Sequence, residues 1–256
     1  MVFKIAVAGK GGTGKTTISG LIVQLLLRRG EGPILAVDAD PNANLGDLLG
    51  LEAETTVGGL QAEIRDKRHD LPPGVPLSRH VEYELHQALV EGEGVDLLVM
   101  GRGEGPGCYC AVNDILRSYL NSIQGGYRWV VLDNEAGMEH LSRRITQDVD
   151  LLLIVSDANP IAIRAAVRIE KLADELGLRT GEGYLILNNL RSELPEPARE
   201  EIARSGLQVL GEVPQDEAIL KLCLEGRPLS ELPPDSPALE AMEAMLKRAL
   251  RKEARV

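Results

Sequence analysis

The sequence predicts an α/β fold in which helices cover both faces of a mostly parallel, twisted β-sheet. Six short segments are continuously apolar rather than alternating, which is typical of strands buried on both faces. These segments are Phe3–Ala8, Ile34–Val37, Val95–Met100, Trp129–Leu132, Leu151–Val155 and Tyr184–Leu187. Longer helical patterns separate several of them, and this β-α-β alternation indicates right-handed crossovers in an open sheet. Only one Trp, one Phe and five Tyr occur among 256 residues, so we expect an aliphatic core.

Three helices can be placed by their periodicity and their end signals. Thr16–Arg29 carries apolar residues at helical spacing, and Gly30 is expected to end it. The dipeptide Asn159-Pro160 provides a cap and a first-turn proline for a helix over Ile161–Leu176. Ser236–Arg251 is amphipathic, and we expect it to be a closing helix that packs on the sheet.

Composition limits the class of protein. A domain usually has about 100–200 residues, and we find neither a linker nor a repeat, so we expect one domain over residues 1–256. The net charge of −11 disfavours a nucleic-acid partner. Three cysteines are too few for a disulfide scaffold, which fits a reducing, cytoplasmic location. No apolar run approaches the roughly 18 residues that a membrane span needs, and the N-terminus lacks a secretory pattern, so no membrane association is expected.

The segment Gly9–Thr16 joins the first predicted strand to the first predicted helix. It reads G-K-G-G-T-G-K-T, the pattern of a phosphate-binding loop in the context that this pattern requires. Its glycines allow backbone N–H groups to surround phosphate oxygens, and the helix N-terminus adds partial positive charge. Lys15 is expected to reach the β- and γ-phosphates, and the Thr16 hydroxyl to ligate Mg²⁺. The motif predicts a P-loop NTPase fold. The loop residues expected to contact ATP or ADP are Gly11, Gly12, Thr13, Gly14, Lys15, Thr16 and Thr17.

Lys10 is a cation that the basic phosphate loop does not require. It is either a solvated loop charge or the first lysine of a deviant Walker A motif, G-K-G-G-x-G-K-T. With this motif the chain resembles the MinD, ParA and nitrogenase-iron-protein class of P-loop ATPases. The resemblance implies that Lys10 reaches across an ATP-bound homodimer to the partner's phosphates, as an arginine finger does.

Three carboxylates are expected at the carboxyl ends of strands, where open α/β sheets bind ligands. Asp38 and Asp40 follow the second apolar segment, and Asp133 follows the fourth. Asp133 has the Walker B position, which holds Mg²⁺ directly or through water. The resemblance implies that Asp40 orients the attacking water and that Asp38 lies in the outer shell of Mg²⁺. A helix-capping Asp beside an exposed one is the alternative. In the ATPase interpretation, Asn134–His140, which follows Asp133, would be switch II.

A later part of the chain is expected to bind the base. Asn188 follows the apolar segment that ends at Leu187, and the resemblance implies that its amide hydrogen-bonds the adenine edge. An Asn at a strand end is also a common turn residue. Val213 and Pro214 are expected to lie against the base. The sequence contains no N-K-x-D segment, which favours adenine over guanine.

Cys108 and Cys110 form a C-x-C pair after a glycine-rich segment. Two thiolates can chelate a soft metal ion, but a closed thiolate site takes four. A two-fold dimer brings two such pairs together and completes a four-sulfur site. The alternatives are a redox pair, in which a disulfide across one residue would be strained, or two small buried residues. Cys223 has no neighbouring partner in sequence and is expected in the core.

Two segments together resemble the CooC/AcsF family of nickel-insertion ATPases for carbon monoxide dehydrogenase and acetyl-CoA synthase. They are G-P-G-C-Y-C and Asp133–Arg144, and the resemblance covers nearly the whole chain. It implies an ATP-hydrolysing metallochaperone in which Cys108 and Cys110 bind Ni²⁺, or Zn²⁺ as a competitor, across an ATP-dependent homodimer. The client would be apo carbon monoxide dehydrogenase or apo acetyl-CoA synthase. The catalytic residues that these resemblances imply are Lys10, Lys15 and Asp40.

Two other classes of function fit parts of the sequence. A membrane- or chromosome-positioning ATPase like MinD would use its last helix, but here the tail mixes Glu with Lys and Arg and has no Phe or Trp to enter a membrane interface. An iron–sulfur reductase that resembles the nitrogenase iron protein would bridge a cluster across a dimer. Its two cysteines per subunit lie far apart in sequence, whereas Cys108 and Cys110 are close together.

Overall fold

The computed structural model describes residues 2–66, 77–101, 123–134, 148–175 and 179–253. In this part of the chain, eight strands form one sheet. The strands are β1 (Phe3–Gly9), β2 (Ile34–Asp38), β3 (Leu89–Glu91), β4 (Val95–Val99), β5 (Trp129–Asp133), β6 (Asp148–Ser156), β7 (Arg179–Leu190) and β8 (Val209–Pro214). All six predicted strands are present, and β3 and β8 are additional.

The strand order across the sheet is β3-β4-β2-β5-β1-β6-β7-β8. Every neighbouring pair is parallel except β3 and β4, which are antiparallel. The predicted mostly parallel sheet is therefore confirmed. This order places β1 in the middle, with β5 on one side and β6 on the other, so that the loop after β1 opens at the centre of the carboxyl edge.

The described residues also contain eight α-helices and a short 3-10 turn at Leu229–Glu231. The helices are α1 (Lys15–Arg28), α2 (Leu45–Leu49), α3 (Val57–Asp66), α4 (Leu77–Gln87), α5 (Pro160–Glu175), α6 (Glu196–Ser205), α7 (Glu217–Glu225) and α8 (Pro237–Glu253). Helices α1, α5 and α8 lie where the sequence predicted them, within about two residues at each end.

The end signals act as the sequence predicts. Gly30 follows α1 with a positive φ of 64°, and its N–H donates to the Leu27 carbonyl. Ahead of α5, the Asn159 side-chain oxygen accepts a hydrogen bond of 2.9 Å from the Ile161 N–H. The local turn chemistry therefore sets both boundaries.

Helices cover both faces of the sheet, and β1 shows the two layers most clearly. Its residues Ile5 and Val7 belong to a core that α1 and α8 complete, whereas Ala6 and Ala8 belong to a second core with α4 and α5. All four side chains are fully buried. The apolar face of α8 packs in the first core, as expected for a closing helix. The residues that form this face are Leu239, Met242, Met245 and Leu246.

Cys223 corrects one expectation, because it is exposed on α7 rather than buried in the core. The neighbouring Leu222 is buried and takes the inward position. Successive residues on an α-helix point about 100° apart, so Cys223 turns toward the surface.

No helix in the described ranges is long and apolar enough to cross a bilayer. The cysteine pair Cys108 and Cys110 lies outside the described residues, as does the predicted switch II after Asn134.

Candidate nucleotide-binding site

Three of the predicted site elements meet at the carboxyl edge of the sheet. β2, β5 and β1 are consecutive in the strand order. Asp133 is in register with Asp38 on one side and with Val7 on the other. Parallel pairing therefore brings the two carboxylates side by side, next to the start of the phosphate loop.

The phosphate loop requires glycine at two positions where other backbone or side-chain atoms come close. A Cβ on Gly9 would lie 2.3 Å from the Val155 carbonyl oxygen on β6. A Cβ on Gly14 would lie 2.2 Å from Nδ2 of Asn188, and the φ of Gly14 is 88°. Any side chain at either position would displace the loop from the sheet, which explains why these residue types are needed.

The start of α1 is built to receive an anion. Gly14 is the N-cap, it offers no side-chain acceptor, and the first turn carries no acidic residue. The first N–H groups of a helix have no acceptor within that helix, and the helix dipole adds partial positive charge at this end. Beside this helix start lies a cavity of about 430 Å³. Its lining residues are Gly11, Gly12, Gly14, Lys15, Thr16, Asp40, Asn42 and Asn44.

The two lysines of the loop differ in their surroundings. Lys15 is only 6% exposed, and its Nζ donates to the Lys10 carbonyl oxygen across 3.5 Å. Lys10 is exposed, and within the described part of the chain its ammonium group has no hydrogen bond or ion pair. Lys15 therefore folds over the loop, whereas Lys10 points away from the core of its own chain.

The buried carboxylates carry an electrostatic cost. Asp38 is fully buried and accepts hydrogen bonds from the N–H groups of Asp40 (3.0 Å) and Leu45 (2.8 Å). Burial raises the pKa of Asp38 to about 7, and the nearby Asp133 adds to the rise. Burial likewise raises the pKa of Asp133 to about 6, while hydrogen bonds and Lys15 act in the opposite direction. The pair lacks enough positive charge to compensate both ionised groups.

Asp133 fits a role in holding Mg²⁺. Ser19, one turn beyond Thr16 on α1, donates a hydrogen bond of 3.1 Å to Oδ1 of Asp133. Oδ2 is buried and has no hydrogen-bond partner among the described residues. A buried carboxylate oxygen without a donor suits a hard cation or its bound water. Carboxylates and a threonine hydroxyl are also the oxygen donors that this ion prefers.

Within the described ranges, no three His, Cys, Asp or Glu residues come close enough to hold a metal ion by themselves. Asp40 is half-buried at the same cavity, and its Oδ1 accepts from both the N–H and the side-chain amide of Asn42 at 2.9 Å. Asn42 therefore fixes the orientation of the Asp40 carboxylate.

A second cavity, of about 360 Å³, lies on the other side of the loop. Asn188 at the end of β7 lines it and donates a hydrogen bond of 2.9 Å to the Thr13 carbonyl oxygen. Val213 and Pro214 form part of its wall, with Ile219 adding apolar surface. The three residues predicted to bind the base thus lie together beside the loop. Thr17 lines this cavity too.

Two residues of the site have partners that sequence reasoning missed. Ser19 has a sequence signal, since it lies one helical turn after Thr16 and therefore on the same face. Asp216 is the N-cap of α7, a position that favours Asp, but its bond to the start of α8 has no sequence signal. One of its oxygens accepts from Ala218 N–H at 2.9 Å, and the other accepts from the Ser236 hydroxyl at 2.6 Å. Asp216 therefore links the start of α7, which lines the second cavity, to the start of α8.

The fold, the phosphate loop and the paired carboxylates together define an ATPase of the P-loop class. Residues 4–229 match the CobQ/CobB/MinD/ParA nucleotide binding domain, and the chain belongs to that family. It is 38% identical over 251 residues to "Uncharacterized ATP-binding protein MJ0685" of Methanocaldococcus jannaschii, covering 97% of this chain and 99% of the relative. It is also 33% identical over 230 residues to the carbon monoxide dehydrogenase accessory protein CooC of Rhodospirillum rubrum, covering 84% and 85% of the two chains.

Solved structures of P-loop ATPases have a fold similar to that of this chain. The septum site-determining protein MinD of Pyrococcus horikoshii, in complex with Mg-ADP, superimposes with a TM-score of 0.68 at 22% identity, covering 97% of this chain and 96% of that one. A ParA family ATPase of Chlorobium tepidum gives 0.71 at 20% identity, covering 97% and 98%. The predicted single-domain P-loop architecture and the resemblance to the MinD and ParA class are thus confirmed.

Proposed function

We propose that this chain is an ATP-hydrolysing metallochaperone that binds nickel between two copies of itself and assists its insertion into an apo-enzyme. The observation that carries the proposal is the C-x-C pair Cys108 and Cys110 in a chain that is 33% identical to an accessory protein of carbon monoxide dehydrogenase. The client is carbon monoxide dehydrogenase or acetyl-CoA synthase. The cysteine pair supplies soft thiolate ligands for nickel. ATP hydrolysis at the P-loop site supplies the free energy for assembly and release.

The ATPase step is assigned to the residues around the phosphate loop. On nucleotide binding, Lys15 leaves the Lys10 carbonyl and pairs with the β- and γ-phosphates. Thr16 and Asp133 would hold Mg²⁺, Asp38 would lie in its outer shell, and the ion would supply positive charge to neutralise the phosphates. Asp40, oriented by Asn42, positions the attacking water. The buried, partnerless oxygen of Asp133 and the placement of Asp40 at the phosphate cavity support these roles.

Adenine is assigned to the cavity on the other side of the loop. Asn188 is held at the cavity by its bond to Thr13, which leaves its side-chain oxygen as an acceptor for the exocyclic amine of adenine. Val213 and Pro214 supply an apolar wall for the ring. This arrangement supports ATP or ADP as the nucleotide.

The chemistry of two groups supports a homodimer. Lys10 is exposed and has no partner among the described residues, so its charge is available to the phosphates of a second copy. One cysteine pair fills only half of a four-sulfur site, and a two-fold axis supplies the other half. If ATP binds the dimer more tightly than the separate chains, then ATP drives assembly and hydrolysis reverses it.

The packing of α8 argues against a membrane-positioning role for this chain. A membrane-seeking helix must expose its apolar face, whereas Met242, Met245 and Leu246 are 1–2% exposed against the sheet. Releasing α8 would expose this core, which is unfavourable by about 2 kcal/mol for each side chain.

The test measures nickel content and mass of the purified protein, with and without ATP. We expect one nickel ion for every two chains in the ATP-bound dimer, and none in the variant with both Cys108→Ser and Cys110→Ser. Cys223→Ser is the matched control, because it removes the third cysteine from an exposed position and is expected to keep the metal.

Two results would overturn the proposal. Stoichiometric nickel in the double cysteine variant would place the metal elsewhere. Tight nickel binding by an ATP-loaded monomer would remove the need for a second copy. Unchanged nucleotide binding in the double variant is expected, which separates loss of metal from loss of fold.

A further inference from the structure

Thr13 links the two sides of the nucleotide site through hydrogen bonds. Its hydroxyl donates to the Lys10 carbonyl oxygen across 2.8 Å, and its N–H points to the same oxygen at 3.4 Å. Its own carbonyl accepts from the Asn188 amide at 2.9 Å. Thr13 is only 4% exposed, so these bonds form out of contact with bulk water.

The Lys10 carbonyl is the centre of this arrangement. It accepts from the hydroxyl and the N–H of Thr13, and Lys15 is its third donor at 3.5 Å. When Lys15 moves to phosphate, that third donor is lost. The Thr13 hydroxyl then remains as the short bond that holds the Lys10 peptide in its orientation. An apolar residue of the same shape, such as valine, has no donor to replace it.

We propose that Thr13 is a positioning residue that holds the Lys10 peptide so that the Lys10 ammonium group reaches the phosphates of a second copy of the chain. This inference rests on the proposed role of Lys10. The anchor is Asn188, which fixes the Thr13 backbone to the end of β7. Thr13 therefore ties the side chain that acts on the partner to the wall that binds the base.

The experiment is a double-mutant cycle in ATP turnover at saturating Mg·ATP. Thr13→Val removes the hydroxyl, Thr13→Ser keeps it, and Lys10→Ala removes the ammonium group while keeping the carbonyl that Thr13 contacts. We expect Thr13→Val to lower kcat about fivefold, the equivalent of one neutral hydrogen bond, with a smaller change in KM. Thr13→Ser is expected to recover most of that loss. In the Lys10→Ala background, Thr13→Val is expected to have no further effect on kcat.

The outcomes separate the two hypotheses. Equal losses from Thr13→Val in both backgrounds, with a low kcat for Lys10→Ala alone, would assign Thr13 to the general stability of the loop and overturn this inference only. An unchanged kcat for Lys10→Ala would overturn the proposed role of Lys10 and the inference with it. A Thr13→Ser protein as slow as Thr13→Val would also overturn the inference, because the hydroxyl would then not be the active group.

Discussion

Replacing Asp133 with asparagine is expected to stabilise the nucleotide-free protein while removing most of its ATPase activity. Asp133 is fully buried, and its Oδ1 accepts from Ser19 whereas Oδ2 has no partner among the described residues. Asparagine has almost the same shape and can keep the Ser19 bond through its oxygen. The substitution thus removes a buried charge without opening a cavity.

The size of the gain follows from the pKa of Asp133. Burial raises it from 3.8 to about 6 in the folded protein. At 1.36 kcal/mol per pKa unit, ionised Asp133 destabilises the fold by up to about 3 kcal/mol. Because the folded state holds the proton more tightly than the unfolded chain, this penalty is complete above about pH 6 and disappears as the pH falls below the ordinary pKa of 3.8. The amide nitrogen also lacks a partner, which costs about 1 kcal/mol or more, so we expect a net gain of at most about 2 kcal/mol.

Urea unfolding in the presence of EDTA and without nucleotide measures this gain. The midpoint of Asp133→Asn is expected to rise at about pH 8, with less than half of that rise at about pH 5. Asp47→Asn is the control, since it neutralises an exposed aspartate on α2 and should change stability by less than about 0.5 kcal/mol. ATP turnover is expected to fall at least about tenfold, as for the loss of a group that orients a metal.

A lower or unchanged midpoint at high pH would refute this reasoning, because a buried charge that costs nothing must have a compensating partner. A gain of equal size at both pH values would refute it as well. Such a gain would arise from better packing rather than from removal of a charge.

Three further predictions concern neighbouring groups. Asp40→Ala is expected to bind ATP normally, turn over at least about 10²-fold more slowly and accumulate as an ATP-loaded dimer in size-exclusion chromatography; an active variant would contradict the role of Asp40. Asp216→Ala is expected to lower stability by about 2 kcal/mol in urea unfolding, since it removes the acceptor at the starts of α7 and α8, and an unchanged midpoint would contradict this. Calorimetric titration is expected to show that Mg·ATP affinity rises between about pH 5 and pH 8, because the pKa of Asp38 is raised to about 7 and its proton must leave to serve the metal; a flat profile would contradict it.

The predicted strands were those whose side chains are buried on both faces, because burial on both faces gives a continuous apolar segment. β8 was not predicted, because it is an edge strand and does not form a continuous apolar segment. Only Leu210 and Val213 of its six residues are buried, it contains Gly211, and it ends at Pro214. β3 has only three residues and pairs antiparallel at the other edge, so no apolar pattern marks it.

The phosphate loop could be predicted because its function is local: consecutive residues provide the turn, the N–H groups and the lysine. Contacts between residues that are far apart in sequence could not be predicted in this way. Ser19 meets Asp133 over a separation of 114 residues, which only the strand order and the position of α1 determine. The expected burial of Cys223 was wrong for a related reason, since the inward face of α7 depends on what packs against it.

The site therefore combines local rigidity with an electrostatic penalty. Gly9 and Gly14 allow the loop to lie against β6 and Asn188, and the Thr13 hydroxyl donates a hydrogen bond to the Lys10 carbonyl within the loop. Beside this rigid loop, Asp38 and Asp133 stay buried at a cost that hydrogen bonds only partly offset. A bound cation with its nucleotide would relieve that cost, and the relief of charge repulsion would contribute to the binding free energy. On the proposed function, the two buried carboxylates would make the stability of the fold depend on Mg·ATP binding.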